Sequence, residues 1–181
     1  MTHALSTGDG CDTSDRKTLL IRETALHQRL ESEPVVVAVC RSTGGIPKLP
    51  LHYVRVTETG LDGDAHAHAK HSRPDRAVCL WDLEIMRQLI DEGFALSPGA
   101  AGENLTVEGL HVQQLRPGTL LEIGDVVLQL TQPRKPCYVL DAIDPRLKDA
   151  VVDRFGYMAA VFRGGILGPG MPIRVLADVV R

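Results

Sequence analysis

The sequence lacks the features that mark membrane-spanning, exported and nucleic-acid-binding proteins. No apolar run approaches the ~20 residues that a membrane span needs, and residues 1–15 are polar and acidic, without the apolar core of a signal peptide. The net charge is −3 at pH 7, so the chain has no overall positive field to attract nucleic acid. These absences predict a soluble cytoplasmic protein that binds neither membrane nor nucleic acid.

Several catalytic and metal-binding motifs are absent too. The sequence has no Gly-x-Gly-x-x-Gly or Gly-x-x-x-x-Gly-Lys-Ser/Thr phosphate loop and no Gly-x-Ser-x-Gly nucleophile elbow. None of the four cysteines belong to a Cys-x-x-Cys pair, which argues against a thiolate zinc site and, in a reducing cytoplasm, predicts free thiols. Cys40 and Cys79 lie in apolar runs and are predicted to be buried strand residues.

Many short strands are predicted after Pro34. The sequence has 17 glycines and 11 prolines, a mild excess that favours turns and therefore short strands. Apolar, β-branched runs predict strands at residues 35–39 and 77–81. The interpretation is a mainly β, barrel-like domain over residues 34–177. It follows an extension over residues 1–33 that is interpreted as partly disordered, with a short helix at its C-terminal end.

Local signals also predict a helix and two hairpins. Asp82 suits the N-cap of a helix, apolar residues follow at helical spacing, and Gly93 ends it. Gly124, at the first of two turn positions, favours a type II′ hairpin. Residues 164–165 (GG), between two apolar runs, indicate a second hairpin.

Cys137 lies in the segment with the strongest chemical signal, residues 131–137 (TQPRKPC). Two prolines restrict its backbone, and loops at strand ends are where scaffolds place reactive groups. Arg134 and Lys135 put two cations close to the thiol, and cations favour the thiolate, which is both the nucleophile and the metal ligand. The alternative is a cysteine packed under a proline-rich loop with exposed basic residues, and the pattern alone leaves both interpretations open.

A histidine-rich stretch over residues 60–71 is a second candidate site. In an extended chain His66 and His68 point to the same face, a spacing that can bind a metal with Asp64 as a third ligand. With Arg76 close by, the same groups can instead meet an anion such as a phosphate. A purely structural interpretation has these side chains hydrogen-bonding a turn.

Glu103 and Asn104 form a third, weaker candidate at a junction between a loop and a strand. Their side chains can supply an acceptor and an amide fork to a ligand. The simpler interpretation is a turn that leads into the strand.

Taken in order, these segments resemble a MOSC domain, the family related to the C-terminal domain of molybdenum cofactor sulfurases. The resemblance spans residues 34–176. It is carried by residues 60–66 (GLDGDAH), 75–80 (DRAVCL), 99–110 (GAAGENLTVEGL), 117–119 (PGT), 123–124 (IG), 131–137 (TQPRKPC) and 162–166 (FRGGI). Many members have Gly-Asp where this chain has Gly170 and Met171, so no function is carried over to that position.

The resemblance implies a β-rich, barrel-like fold and a marked cysteine after the Pro-Arg-x-Pro loop, which here is Cys137. That thiol would carry sulfur as a persulfide, or ligate molybdenum in a bound molybdenum–pterin cofactor. The residues implied to bind the cofactor are Asp64, His66, Arg76, Glu103, Asn104, Arg134 and Lys135. The expected activity is that of a sulfur transferase or of a component of a molybdenum-dependent oxidoreductase, including reduction of N-hydroxylated compounds.

The resemblance also implies partners. Whole sulfurases have a pyridoxal-phosphate desulfurase domain, and these 181 residues leave no room for one. A cysteine desulfurase or a redox partner protein is therefore expected to supply sulfur or electrons. Two other hypotheses stay open: a non-catalytic module that binds an anionic ligand in the same pocket, and a zinc-dependent hydrolase built on His66 and His68.

Overall fold

The computed structural model describes residues 33–65 and 73–176. The described residues form strands β1 (Val35–Arg41), β2 (Leu49–Leu51), β3 (Val54–Thr57), β4 (Gly60–Leu61), β5 (Val78–Asp82), β6 (Leu105–Glu108), β7 (Leu120–Ile123), β8 (Val126–Pro133), β9 (Tyr157–Arg163), β10 (Gly165–Leu167) and β11 (Arg174–Leu176). The α-helices are α1 (Leu83–Asp91) and α2 (Leu147–Ala150), and short 3₁₀ turns cover Pro74–Arg76, Val112–Gln114 and Tyr138–Ala142. The extension and helix predicted before residue 33 lie outside the described residues.

The strands form two sheets, and the predicted mainly β class is confirmed. The larger sheet has eight strands in the order β11-β7-β8-β9-β5-β6-β1-β2 and curls into a half-barrel. Its neighbours are antiparallel except for β5 and β6, which run parallel. The smaller sheet has three strands in the order β10-β3-β4.

The chain just before β11 ties that edge of the large sheet to β1. The Val36 N–H donates to the Met171 carbonyl at 3.0 Å, and the Gly170 N–H donates to the Val36 carbonyl at 2.8 Å. The Ile173 N–H donates to the Pro34 carbonyl at 2.6 Å. These bonds satisfy backbone groups of β1 that β2 does not reach, and they give the sheet its barrel-like closure.

Apolar side chains pack on both faces of the large sheet. Inside the curl lies a core that includes Val78, Leu80 and Leu128, all fully buried. A second core on the outer face packs Trp81 edge-on against Phe155, with ring centroids 5.3 Å apart, beneath α1 and α2. Because β5 is covered on both faces, all five of its residues are buried.

Two of the predicted turn features are confirmed and one is wrong. Gly124 has φ +57° in a two-residue turn between β7 and β8, and Gly93 has φ +97° directly after α1. The predicted hairpin at residues 164–165 does not form, because β9 pairs in the large sheet and β10 pairs with β3. Gly164 lets the chain cross between the sheets, since a Cβ there would lie 2.5 Å from the Val56 carbonyl oxygen.

Asp82 occupies the predicted N-cap position of α1 but does not cap the helix with its side chain. Its Oδ1 instead accepts a hydrogen bond from the Val112 N–H at 3.0 Å. The carboxylate therefore fixes a neighbouring loop, and the first turn of α1 is left without a side-chain cap.

Candidate functional site

A cavity of about 390 Å³ opens over the outer face of the large sheet. Strands β8, β9 and β5 supply its floor, and the loop that follows β8 supplies one wall. The opposite wall comes from residues 45–48 and Ala65. The cavity therefore collects residues that lie far apart in the sequence.

Four adjacent side chains form the floor in one row across the sheet. Gln132 pairs with Met158 between β8 and β9, and Met158 pairs with Cys79 between β9 and β5. Asn104 stands next to Cys79, because its N–H donates to the Cys79 carbonyl at 2.8 Å and its Oδ1 accepts from the Cys79 N–H at 3.1 Å. All four residues line the cavity.

Asp64 lies at the centre of a buried polar network in the wall beside Asn104. Its Oδ2 accepts hydrogen bonds from the Lys48 ammonium and, at 2.8 Å, from the Asn104 amide. Its Oδ1 accepts from the Ser42 N–H at 2.9 Å. The side chains of Lys48 and Asp64 are only 9% and 3% exposed, so this ion pair is largely shielded from water.

Glu103 is fully buried beside this network and does not line the cavity. Its Oε1 accepts from the Gly99 N–H at 2.6 Å and from the Thr106 hydroxyl at 3.2 Å. It therefore holds the loop at residues 99–102 in place. That loop packs closely against the chain at Lys48, because the Lys48 N–H donates to the Gly99 carbonyl at 2.9 Å.

Arg134 turns from its loop toward the outer core. Its guanidinium carbon lies 3.8 Å from the centroid of the Phe155 ring, and its Nη2 donates to the Ala101 carbonyl at 2.5 Å. Its Nη1 is buried and has no hydrogen-bond partner among the described residues. A buried guanidinium N–H without an acceptor is costly, so this atom marks a place where the site is incompletely satisfied.

Arg76 lies at the opposite end of the floor, where a 3₁₀ turn ends. The Gln132 amide oxygen faces Arg76 and accepts hydrogen bonds from its Nε at 2.7 Å and from its Nη2 at 3.1 Å. The Asp75 carboxylate is 4.0 Å from Nε. The side chain of Arg76 is 35% exposed, so part of its guanidinium remains open to a ligand.

Cys137 lies at the rim of the cavity, half-buried, directly before the turn Tyr138–Ala142. Lys135, two residues earlier, also lines the cavity and is exposed. The predicted loop begins later than expected, because β8 continues to Pro133. Cys137 is thus held at the end of a long strand by a short loop, with its thiol at the mouth of the cavity.

The other two cysteines of the described residues are buried, as predicted. Burial raises the pKa of Cys40 to about 11, and the nearby Glu103 acts in the same direction. Burial also raises the pKa of Cys79, while the charge of Arg134 opposes that rise. The two thiols differ in one respect: Cys79 lines the cavity and Cys40 does not.

Most of the residues predicted for the site come together in the structure. Cys137, Arg76, Asn104, Arg134 and Lys135 line one cavity, and Asp64 stands directly behind it. His66 and His68 lie outside the described residues. Lys48, Gln132 and Met158 were not predicted; Lys48 follows a Gly- and Pro-containing loop and carries no local signal beyond its charge.

The cavity suits an anionic ligand better than a hard metal ion. Four cationic side chains line it, Lys48, Arg76, Arg134 and Lys135. None of the described lining residues are Asp, Glu or His, and the described parts of the chain contain no group of three such residues or cysteines placed to hold a metal. A zinc site built on Asp64 gains no support, since both oxygens of that carboxylate already accept hydrogen bonds.

No helix within residues 33–65 and 73–176 is long and apolar enough to cross a bilayer.

Comparison with known proteins assigns the chain and its fold to a family. The sequence profile of the MOSC domain matches residues 67–174. Protein YiiM of Escherichia coli is 30% identical over 133 residues, which are 68% of this chain and 59% of that protein. YflK of Bacillus subtilis is 33% identical over 143 residues, 74% of this chain and 63% of that protein. The chain therefore spans about three-fifths of the length of these two curated relatives.

A solved crystal structure of a YiiM protein has a similar fold. The crystal structure of YiiM from Geobacillus stearothermophilus superposes with a TM-score of 0.65 at 26% identity, covering 79% of this chain and 75% of that one. A protein named reductase from Gibberella moniliformis is 30% identical over 89 residues, 46% of this chain and 16% of that protein. The sequence matches and the mainly β fold agree, and the chain belongs to the MOSC domain family.

Proposed function

We propose that the cavity binds a molybdenum–pterin cofactor and that Cys137 is its sulfur ligand to the metal. One observation carries this proposal: a half-buried thiol and four cationic side chains line the same cavity. Thiolates are soft metal ligands, and the surrounding cations suit an anionic cofactor. The MOSC family is associated with this cofactor, which adds to the argument from the site.

The size and the mixed lining of the cavity fit a cofactor of this kind. Its volume of about 390 Å³ lies within the range of roughly 300–1,000 Å³ found for small-molecule sites. Ile46 and Met158 offer an apolar surface to a planar ring, and Gln132 adds an amide beside it. The Asn104 amide also lines this surface but is held by Cys79, Cys40 and Asp64. A site that only displayed an exposed thiol would need none of these side chains.

The cations fit the phosphate of such a cofactor. Arginine binds phosphate through paired N–H groups, and Arg76 retains an exposed guanidinium portion. Arg134 also lines the cavity, and its Nη1 is a buried donor without a partner among the described residues. Lys135 adds a flexible charge at the rim, while Lys48 is committed to Asp64 and helps to fix the wall.

When bound, the molybdenum centre would supply two-electron redox chemistry. The residues of this chain would hold the cofactor, exclude water from the floor and fix the thiol next to the metal. The reductase of Gibberella moniliformis contains a similar segment as 16% of its length, which supports a role as one component of a reductase. We propose N-hydroxylated compounds as its substrates and a separate redox protein as its electron source.

A persulfide carrier is the second candidate, and the placement of Cys137 at the cavity mouth favours it. A half-buried thiol at the rim is open to a sulfur-donating desulfurase, whereas Cys79 is 5% exposed at the floor. The same cations would stabilise a persulfide anion. In this case the cavity would accept the molecule to which the sulfur is passed.

Metal and pterin analysis of the full chain, purified from molybdenum-replete cells, tests the proposal. We expect stoichiometric molybdenum and pterin in the wild-type protein, loss of molybdenum in Cys137→Ser, and retention in Cys40→Ser. The Cys40 variant is the matched control, because it changes a thiol outside the cavity.

Three other results would contradict the proposed molybdenum site. Persulfide on Cys137 after incubation with a cysteine desulfurase and free cysteine, in protein without molybdenum or pterin, would favour the carrier. If neither cofactor nor persulfide is found, both candidates fail. If Cys137→Ala binds the pterin as tightly as wild type, the hypothesis that remains is a non-catalytic binding module.

A further inference from the structure

Three sulfur-containing residues line the cavity, although the sequence marks only one of them. Cys79 and Met158 lie on the floor, and Cys137 lies at the rim. They come from β5, β9 and the loop after β8, so no local motif joins them. Thiolate and thioether groups together are the ligands that select monovalent copper over harder metal ions.

The register of the sheet brings two of these sulfur-bearing residues side by side. Cys79 and Met158 are directly paired across the antiparallel strands β5 and β9. Residues paired in this way have Cβ atoms about 4.5–5.5 Å apart on the same face of the sheet. Both residues line the cavity, and Met158 is half-buried whereas Cys79 is buried.

The charges around the cavity favour the complex that these sulfur atoms would form. One Cu(I) ion bound by two thiolates and a neutral thioether has a net charge of −1, because the two thiol protons are released. The cations Arg76, Arg134 and Lys135 around the cavity stabilise such an anion, while the charge of Lys48 is balanced by Asp64. The described lining offers no carboxylate or imidazole that would attract a divalent ion in its place.

We propose that the cavity of this protein is a binding site for a thiophilic monovalent ion, Cu(I), held by Cys79, Met158 and Cys137. The site does not depend on the proposed cofactor, and the two would compete for Cys137. A molybdenum-loaded protein would therefore take up Cu(I) only after losing its molybdenum. Protein free of molybdenum should bind one Cu(I) ion per chain.

Anaerobic competition with a colorimetric Cu(I) chelator, on the full reduced chain free of molybdenum, tests this site. We expect one tightly bound Cu(I) per wild-type chain and X-ray absorption from two or three sulfur ligands. Loss of a group that only hydrogen-bonds and orients a metal ligand costs about 10–100-fold in metal affinity. Loss of the thiolate ligand itself in Cys79→Ser should therefore cost at least about 100-fold. Met158→Leu should have a smaller effect, and Zn(II) should bind far more weakly.

Cys40→Ser is the matched control, because it changes a thiol that is also buried but lies outside the cavity. It should keep the wild-type affinity for Cu(I). The proposal is overturned if Cys79→Ser, shown to be folded by its unfolding temperature, binds Cu(I) as tightly as wild type. If Cys79→Ser does not fold, the absorption spectrum of the wild-type complex decides: a single sulfur ligand would refute the site.

Discussion

The two walls of the cavity differ in how completely their polar groups are paired. In the wall around Asp64, both carboxylate oxygens accept hydrogen bonds, and its cation, Lys48, is buried with it. In the loop wall, Arg134 keeps one donor without a partner, and Cys137 is half-buried at the rim. The Asp64 carboxylate is fully paired without a ligand, and the unpartnered Oε2 of Glu103 belongs to a residue outside the cavity lining. The loop wall, in contrast, has groups on cavity-lining residues that a ligand would satisfy.

The comparison predicts, first, a large difference in reactivity between thiols. A thiol with a pKa of about 11 is about one part in a thousand thiolate at pH 8, so Cys40 should react very slowly. Cys79 is buried and its pKa is also raised. We expect iodoacetamide to alkylate Cys137 in the native protein at least about 100-fold faster than either of them.

Mass spectrometry of peptides after timed alkylation at pH 8 measures these rates. Alkylation in denaturant is the control, since all the thiols should then react alike. Equal rates for Cys137 and Cys79 in the native protein would contradict the division between rim and floor.

The second prediction concerns removal of Lys48, the cation of the wall around Asp64. In Lys48→Met the Asp64 carboxylate stays buried without its cation, and removing one partner of a buried ion pair costs about 3–5 kcal/mol. We expect the free energy of unfolding in urea to fall by about this amount. The double variant Lys48→Met/Asp64→Asn should recover much of it, because no buried charge remains.

Lys135→Met is the matched control for the loop wall. This lysine is exposed, so its removal should change stability by no more than about 0.5 kcal/mol. A loss as large as that of Lys48→Met would show that both walls depend on their cations to the same degree.

The third prediction concerns the loop wall itself. Arg134→Met removes the contact with Phe155 and the hydrogen bond to Ala101, which together contribute about 2–3 kcal/mol. Arg134→Lys should recover little, because an ammonium lacks the planar fork that serves both contacts. Urea unfolding measures the loss, and Arg73→Met, an exposed ion-pair partner, is the control. Full stability of Arg134→Met would show that this side chain serves only a ligand.

The sequence was most informative where the signal was local. The loop at residues 131–137 could be recognised because prolines, cations and a thiol follow one another directly. The tight turn between β7 and β8 could be predicted because Gly124 supplies the positive φ that its first position needs. The hairpin predicted at residues 164–165 was wrong, because the partner of a strand depends on the whole sheet and not on the turn that follows it.

The floor of the cavity could not be predicted for the same reason. Cys79 was correctly predicted to be buried, yet its place beside Met158 depends on the register between β5 and β9. Lys48 reaches the site only because its loop packs against Gly99. Neighbours in the sequence can also separate: Asn104 reaches the cavity, while Glu103 turns away to hold a loop.

The last and smallest prediction compares two buried carboxylates. Asp64 has a cationic partner, whereas Asp82 is 2% exposed and accepts from the Val112 N–H. Burial raises the pKa of Asp82 to about 6, the nearby Glu84 adds to the rise, and the hydrogen bond from Val112 opposes it. Asp82 is therefore more readily protonated in the folded state than in the unfolded chain.

The direction of the pH effect follows from this. Between about pH 4 and pH 6 the folded protein holds a proton that the unfolded chain has released, so the contribution of Asp82 to stability falls as the pH rises. In Asp82→Asn that loss cannot occur. We expect the stability of the variant relative to wild type to rise by about 2 kcal/mol from pH 4 to pH 7. Urea unfolding of both proteins from pH 4 to pH 7 measures this difference in unfolding free energy. A difference that stays constant with pH would show that Asp82 titrates normally. Backbone donors alone would then be enough to keep a buried carboxylate charged.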